Sequence, residues 1–183
     1  MKRPGSFIML VGLALTLLGG LATAEELEVT TFDLVSRNTT CLPDARGEVT
    51  VLHKEEKRGV DILLLHASGL PANTEFTVFL TEADAFATPP FGASVYIGDF
   101  TTNDRGKGSL KVETIVGEAF VSSREGNPPA RVRHDLDKVV IWFADPTDAS
   151  SCFGAVTTPF DGDGAAGPTA LSSQGPTGLE AFP

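Results

Sequence analysis

Sulfur is scarce in this chain: two methionines, Met1 and Met9, and two cysteines, Cys41 and Cys152. Both methionines fall within the first 24 residues, so a blue-copper centre would lack its usual axial thioether once that segment is removed. The sequence holds no C-x-x-C pair, and no histidine lies within ten residues of Cys152. Thiol redox chemistry and a cysteine-based metal site therefore have no local support. The two cysteines read instead as one structural disulfide, Cys41 to Cys152, closing a span of 111 positions. Cations are also few, 14 Lys and Arg against 24 Asp and Glu, for a formal charge of −10. Such a balance repels phosphate backbones and anionic lipid surfaces, which argues against nucleic acid as a partner. The densest basic stretches, His53 to Arg58 and Arg131 to His134, carry Glu55, Glu56 and Asp135 within or beside them, and read as solvated strand ends.

Only one long apolar run is present, and it lies at the start. Lys2 and Arg3 form a short positive segment, Phe7 to Leu18 is apolar apart from Gly12 and Thr16, and Ala22-Thr23-Ala24 offers a small-x-small cleavage pattern before Glu25. That order of parts predicts a secretory signal over 1–24, and the run is short of the roughly 20 residues a stable membrane anchor needs. The mature protein is expected to be secreted or periplasmic, with no stable membrane insertion after cleavage. Removing Lys2 and Arg3 takes the formal charge to −12.

What the rest has in quantity is alternation. Phe76, Val78 and Leu80 interleave with Thr77, Phe79 and Thr81; Leu110 and Val112 interleave with Lys111 and Glu113. Period-2 runs rich in Val, Ile, Phe and Thr are strand signals, and no stretch has a convincing helical period. About seven strands are expected, near 27–36, 47–54, 59–67, 74–82, 94–102, 108–116 and 137–144, with Gly117 to Ser123 as an eighth strand or a loop. Where both parities are apolar, at 62–65 and 139–143, the strand should be central, its second face covered by a loop or the tail. Asn103-Asp104-Arg105-Gly106 supplies hairpin-turn chemistry, with Gly106 suited to positive φ. The expected architecture is all-β: an antiparallel Ig-like or Greek-key β-sandwich over residues 25–158. From 159 to 183, Gly, Pro, Ala, Ser and Thr dominate without periodicity, which predicts a flexible, disordered tail.

Candidate chemistry is sparse. Asp161-Gly162-Asp163-Gly164 hints at a calcium loop, but Ala165 to Pro168 follow where further oxygen ligands would be required. Of the histidines, His66 alternates with Leu64 and Ile62 and should cap the core, whereas His53 and His134 lie in charged segments and should be exposed. No serine sits in a G-x-S-x-G elbow. Carboxylates such as Asp33, Glu75, Asp99 and Glu113 are too plentiful to single out, although Glu82 and Asp84 would be the first to test for an acid/base role. No catalytic residue, metal ligand or cofactor is assigned. The surface expected to touch a partner is the apolar-tipped loop 82–93, through Phe86, Pro89, Pro90 and Phe91. Asn38-Thr39-Thr40 matches the glycosylation acceptor pattern.

The segment Gly69-Leu70-Pro71-Ala72-Asn73-Thr74-Glu75-Phe76-Thr77-Val78 resembles the tyrosine corner of fibronectin type III and related immunoglobulin-like sandwiches, with Phe76 in place of the tyrosine. Together with Val60 to Leu65 it is also similar to copper/zinc superoxide dismutase-like and CHRD modules, but the strand after the turn, Phe76 to Thr81, has no metal-site histidine. The layout as a whole looks like uncharacterised secreted bacterial proteins that join a Gly-Leu-Pro turn to a later Gly-x-Phe-x-Thr-Asn segment, here Gly98 to Asn103. These resemblances imply a fold and no activity. The function expected is that of a secreted binding or structural module for an unknown protein or glycan, acting through loops at one end of a sandwich. Its alternatives are a secreted enzyme or metal protein on the same scaffold, and a subunit of a cell-surface assembly to which the C-terminal tail donates a strand.

Overall fold

Alternating side chains give the sequence two-faced strands, and most of these curl into one sheet around the main core. A computed structural model describes residues 28–53, 60–83, 92–122, 131–154, 166–174, 177 and 179. Within them lie ten strands: β1 (Glu28–Ser36), β2 (Arg46–His53), β3 (Asp61–Ser68), β4 (Glu75–Thr81), β5 (Ser94–Thr101), β6 (Gly108–Thr114), β7 (Gly117–Ser122), β8 (Arg131–Leu136), β9 (Lys138–Phe143) and β10 (Thr169–Ser173). The signal expected over 1–24 lies outside the described residues. None of the described helices is long and apolar enough to cross a membrane.

Eight strands form one antiparallel sheet in the order β5-β4-β9-β10-β1-β2-β3-β6, and β7 and β8 form a separate hairpin. The neighbours β3–β6 and β4–β9 are not consecutive in the chain, so the topology has Greek-key crossovers. The two end strands, β5 and β6, meet side chain to side chain. A methyl group at Gly108 would strike the Phe100 ring, and one at Gly98 would lie 3.2 Å from Leu110 Cδ1. The sheet thus bends round on itself, bringing its two edges together, and the fold is all-β and sandwich- or barrel-like, as expected. Bringing the edges together hides unpaired strand groups that would otherwise invite edge-to-edge association.

The core draws on every strand of this sheet but β6, from which half-buried Leu110 and Val112 pack against it. Leu34, Val49, Val51, Leu63, Leu65, Phe76, Val78, Leu80, Ile97, Phe100, Val139, Ile141, Phe143 and Leu171 form one buried cluster. Phe76 sits at its aromatic centre, 4.8 Å from the Phe143 ring and 5.5 Å from that of Phe100. Each such ring or aliphatic side chain contributes about 1.5–3 kcal/mol by leaving water. The hydroxyl that Phe76 lacks is made up from another strand end: Thr102 Oγ1 donates to the Pro71 carbonyl at 2.6 Å and accepts the Thr74 N–H at 3.0 Å.

Four expectations need correction. The stretch 159–183, read as a flexible tail, contains β10, and this strand lies between β9 and β1 in the middle of the sheet. Ala170 and Leu171 are buried there, and Leu179 is buried beyond it. Composition misleads here because a short strand of small residues, held on both sides by ladders, needs no hydrophobic run of its own. No strand is expected between 123 and 137, yet β8 lies there and pairs with β7 from Gly117↔Leu136 to Ser122↔Arg131. In β3 the core-facing side chains are Leu63 and Leu65, so His66 is exposed rather than capping the core, while His53 is buried at 6% exposure.

The doubly apolar segments diverge. Both β3 and β9 are interior strands. On β9 the second face is fully covered: Val140 and Trp142 pack with Phe79 and Ala166, and Trp142 Nε1 donates to Thr169 Oγ1 at 2.8 Å. On β3, Ile62 and Leu64 are only half-buried.

The disulfide joins Cys41, in the β1–β2 connection, to Cys152, in the helical turn Ser150–Phe153 after β9, with the Cα atoms 5.7 Å apart. The turn at 103–107 is as local as expected. Asn103 Oδ1 accepts the N–H groups of Arg105 and Lys107, and Gly106 has φ 66°. A Cβ at Gly106 would collide with the Leu70 carbonyl oxygen. Gly106→Ala is therefore expected to cost about 1–3 kcal/mol. For a domain of this size that lowers Tm by roughly 2–4 °C per kcal/mol, readable by differential scanning calorimetry.

Candidate functional site

Period 2 sends every second residue of β1, β2, β3 and β6 outward, and the register then aligns those residues into rows across the strands. Asp33 pairs with Glu48, Glu48 with His66, and His66 with Ser109. One step along the strands, Val35 pairs with Arg46 and Arg46 with Ser68. Lys107, one position before β6, continues that second row. Both rows line an open groove of roughly 700 Å³, which the Asn103–Lys107 turn helps to wall.

The arrangement is an acidic row beside a basic one. Asp33 and Glu48 are exposed and stand directly opposite each other on adjacent strands. Like charges in that position destabilise a sheet by a few tenths of a kcal/mol to about 1 kcal/mol. A cation seated over them relieves that repulsion. Arg46 and Lys107 offer donors to an anion, and Ser68, Ser109, Asn103 and His66 add neutral hydrogen-bonding groups. Among the described residues no Trp, Tyr or Phe lines the groove.

The sequence pointed elsewhere. Phe86, Pro89, Pro90 and Phe91, together with Asp84, lie outside the described residues. The base of their loop is described. Glu82 N–H donates to the Ala93 carbonyl at 2.9 Å, and Ala93 N–H donates back to Glu82 Oε2 at 2.9 Å. His134 Nδ1 of β8 lies 3.3 Å from Glu82 Oε1, which ties the β7–β8 hairpin to this loop. The Ala93 N–H, and secondarily the hydrogen bond from His134, hold the Glu82 carboxyl below its ordinary pKa of 4.5. A depressed acid stabilises the fold above its unfolded pKa, and that contribution is lost as pH falls through the lower, folded value. Glu82→Gln is accordingly expected to reduce the loss of Tm on acidification below pH 4.5. Identical acid profiles for the variant and the parent chain would refute this.

The three histidines do not converge. His53 Nδ1 lies 3.6 Å from Asp61 Oδ1 at one end of β2 and β3, His66 stands toward their other end, and His134 is on the hairpin. Among the described residues no group of three or more His, Cys, Asp or Glu is arranged to hold a metal ion. The glycosylation candidate Asn38 has a local structural use, its Oδ1 accepting the N–H groups of Thr40 and Cys41 at 3.1 Å each.

Sequence reasoning passed over the groove residues because each is unremarkable in its own strand. Asp33, Glu48, His66 and Ser109 occupy the polar parity of four separate runs. Nothing local says that they share a row, since register is a long-range property. Compared with known proteins, the chain matches no protein-family model, no curated protein and no solved structure.

Proposed function

We propose that this is an exported binding module whose ligand-contacting surface is the polar groove on the outer face of β1, β2, β3 and β6. The single observation that carries this reading is the cross-strand row Asp33–Glu48–His66–Ser109 beside Arg46, Ser68 and Lys107. The ladders of β1, β2, β3 and β6 hold the backbone of these groups in register, so little backbone ordering remains to be done on binding. Export to a secreted or periplasmic location is supported by the leader pattern of residues 1–24 and by the Cys41–Cys152 disulfide, a bond that persists in oxidising compartments. The Ig-like or superoxide dismutase-like relationship is supported by the Gly69-Leu70-Pro71 turn alone and carries no activity to this chain. Phe86, Pro89, Pro90 and Phe91 remain a proposed second contact region.

The test is site-directed photocrosslinking in the native extracytoplasmic milieu. A benzophenone side chain in place of Ser109 is expected to give a discrete adduct that the same group at exposed Asp148 does not. The adduct should vanish on adding Glu48→Ala with His66→Ala. Equal labelling from both positions, or an adduct indifferent to Glu48 and His66, would defeat the groove as the contact surface.

A further inference from the structure

We infer that the occupant of this groove is an extended segment of another protein, laid parallel to the strands, with an acid, a base and an aliphatic residue at two-residue or four-residue spacing. The inference rests on the groove being the contact surface proposed above and names what it binds.

Four outward rows follow one another along β1, β2, β3 and β6. The first is cationic, with Arg46, Ser68 and Lys107. The second is anionic, with Asp33 and Glu48 before His66 and Ser109. The third is Thr31, Thr50, Leu64 and, on β6, exposed Lys111, paired as Thr31↔Thr50, Thr50↔Leu64 and Leu64↔Lys111, with the two threonine hydroxyls 3.2 Å apart. The fourth is Val29, Leu52 and Ile62, bounded on β6 by exposed Glu113, which pairs with Ile62; Val29 is 54% exposed and Leu52 and Ile62 are half-buried. The polar groove therefore runs into an aliphatic patch on the same face of the same strands.

Successive rows are two residues apart, or about 6.7 Å along a strand. An extended peptide has the same repeat between side chains on one of its faces. A segment of pattern acid-x-base-x-hydroxyl-x-aliphatic thus sets its acid over Arg46 and Lys107 and its base over Asp33 and Glu48. Its hydroxyl falls over the threonines, and its aliphatic side chain over Val29, Leu52 and Ile62. The alternate residues face away, as they do when two sheets pack face to face. A glycan suits the surface less well: it has no use for the aliphatic row, and among the described residues the groove offers no aromatic ring for a sugar face.

The probe is a fluorescein-labelled heptapeptide, Glu-Ala-Lys-Ala-Ser-Ala-Leu, titrated with the full mature chain and read by fluorescence anisotropy at low salt. The charge-exchanged peptide, Lys-Ala-Glu-Ala-Ser-Ala-Leu, keeps composition and spacing but sets like charges over both rows. The first is expected to bind at least about tenfold more tightly, the scale of two exposed charge pairs that attract in one peptide and repel in the other. That advantage should fade in 0.5 M salt. Asp33→Asn with Glu48→Gln should cut the preference to about threefold, one charge pair remaining, and Arg46→Glu with Lys107→Glu should erase it, each leaving Tm within a few degrees of the parent. All four side chains are exposed, so a folding defect is not expected, and circular dichroism checks it. Equal affinity for the two peptides, or a preference that survives both double variants, would overturn the inference. Absence of peptide binding while the Ser109 adduct persists would also overturn it and leave the groove in place. Loss of both would remove the groove as well.

Discussion

A chain ending at residue 165 is expected to lose the cooperative unfolding transition of the full-length protein. Without β10, the facing ladder groups of β9 and β1 lose their partners in the middle of the sheet. The losses continue beyond the ladders. Arg37 N–H donates to the Ala170 carbonyl, Val139 N–H to Ser173 Oγ, and Gly167 N–H to the Phe143 carbonyl at 2.7 Å. A buried polar group left without its partner costs about 1–3 kcal/mol. Several at once, together with the exposed faces of Leu171, Trp142 and Val140, exceed the roughly 5–15 kcal/mol by which a domain is ordinarily stable. The milder variant, Leu171→Ala, keeps every backbone ladder and should cost about 2–5 kcal/mol through the cavity it leaves. Urea denaturation followed by tryptophan fluorescence reports both, because Trp142 is buried and donates to Thr169 of β10. If the truncated chain unfolds cooperatively with an unchanged midpoint, the central place of β10 is wrong.

Opening the disulfide is the second large effect expected. Cys41→Ser with Cys152→Ser removes a link across 111 positions, and the chain-entropy relation assigns such a loop about 4–5 kcal/mol. Most of that arises in the unfolded chain, whose freedom the link restricts. The native β1–β2 connection and the turn after β9 should stay in place, and secondary structure by circular dichroism should be preserved in the absence of denaturant. The denaturant slope should steepen as the unlinked chain expands on unfolding. A midpoint that does not move between oxidised and reduced protein would show that the link adds nothing to stability.

Much of this fold was legible from local pattern. Seven strands were expected and seven lie near those positions, because alternation and turn chemistry are short-range. Gly106 could be assigned to its turn from four residues of sequence, and its φ of 66° follows from them. What escaped was whatever depended on a partner far along the chain. β10 has five residues, TALSS, in a region rich in Gly, Pro and Ala, and only β1 and β9 make it a strand. β8 reads RVRHDL, a charged stretch without a clear apolar parity, and it is a strand because β7 lies beside it. His66 was assigned to the wrong face of β3 because Ile62, Leu63, Leu64 and Leu65 are all apolar. In such a run the parity that faces the core is set by neighbouring strands.

The candidate site shows the same division. Asp33, Glu48, His66 and Ser109 are ordinary outward residues of four strands, drawn from positions 33 to 109. Their meeting is a product of three registers, each of which would turn the face over if it slipped by one residue.

By itself the amino-acid order determined that the chain forms two-faced strands, is strongly acidic and offers one pair of cysteines to link. Those are properties of neighbours and of totals. Which strands lie side by side, which face of an all-apolar strand is wet, and which charges share a row were decided only when the sheet bent round to bring its edges together. Burial and register minimise free energy over the whole assembly of strands, and no single segment contains that information.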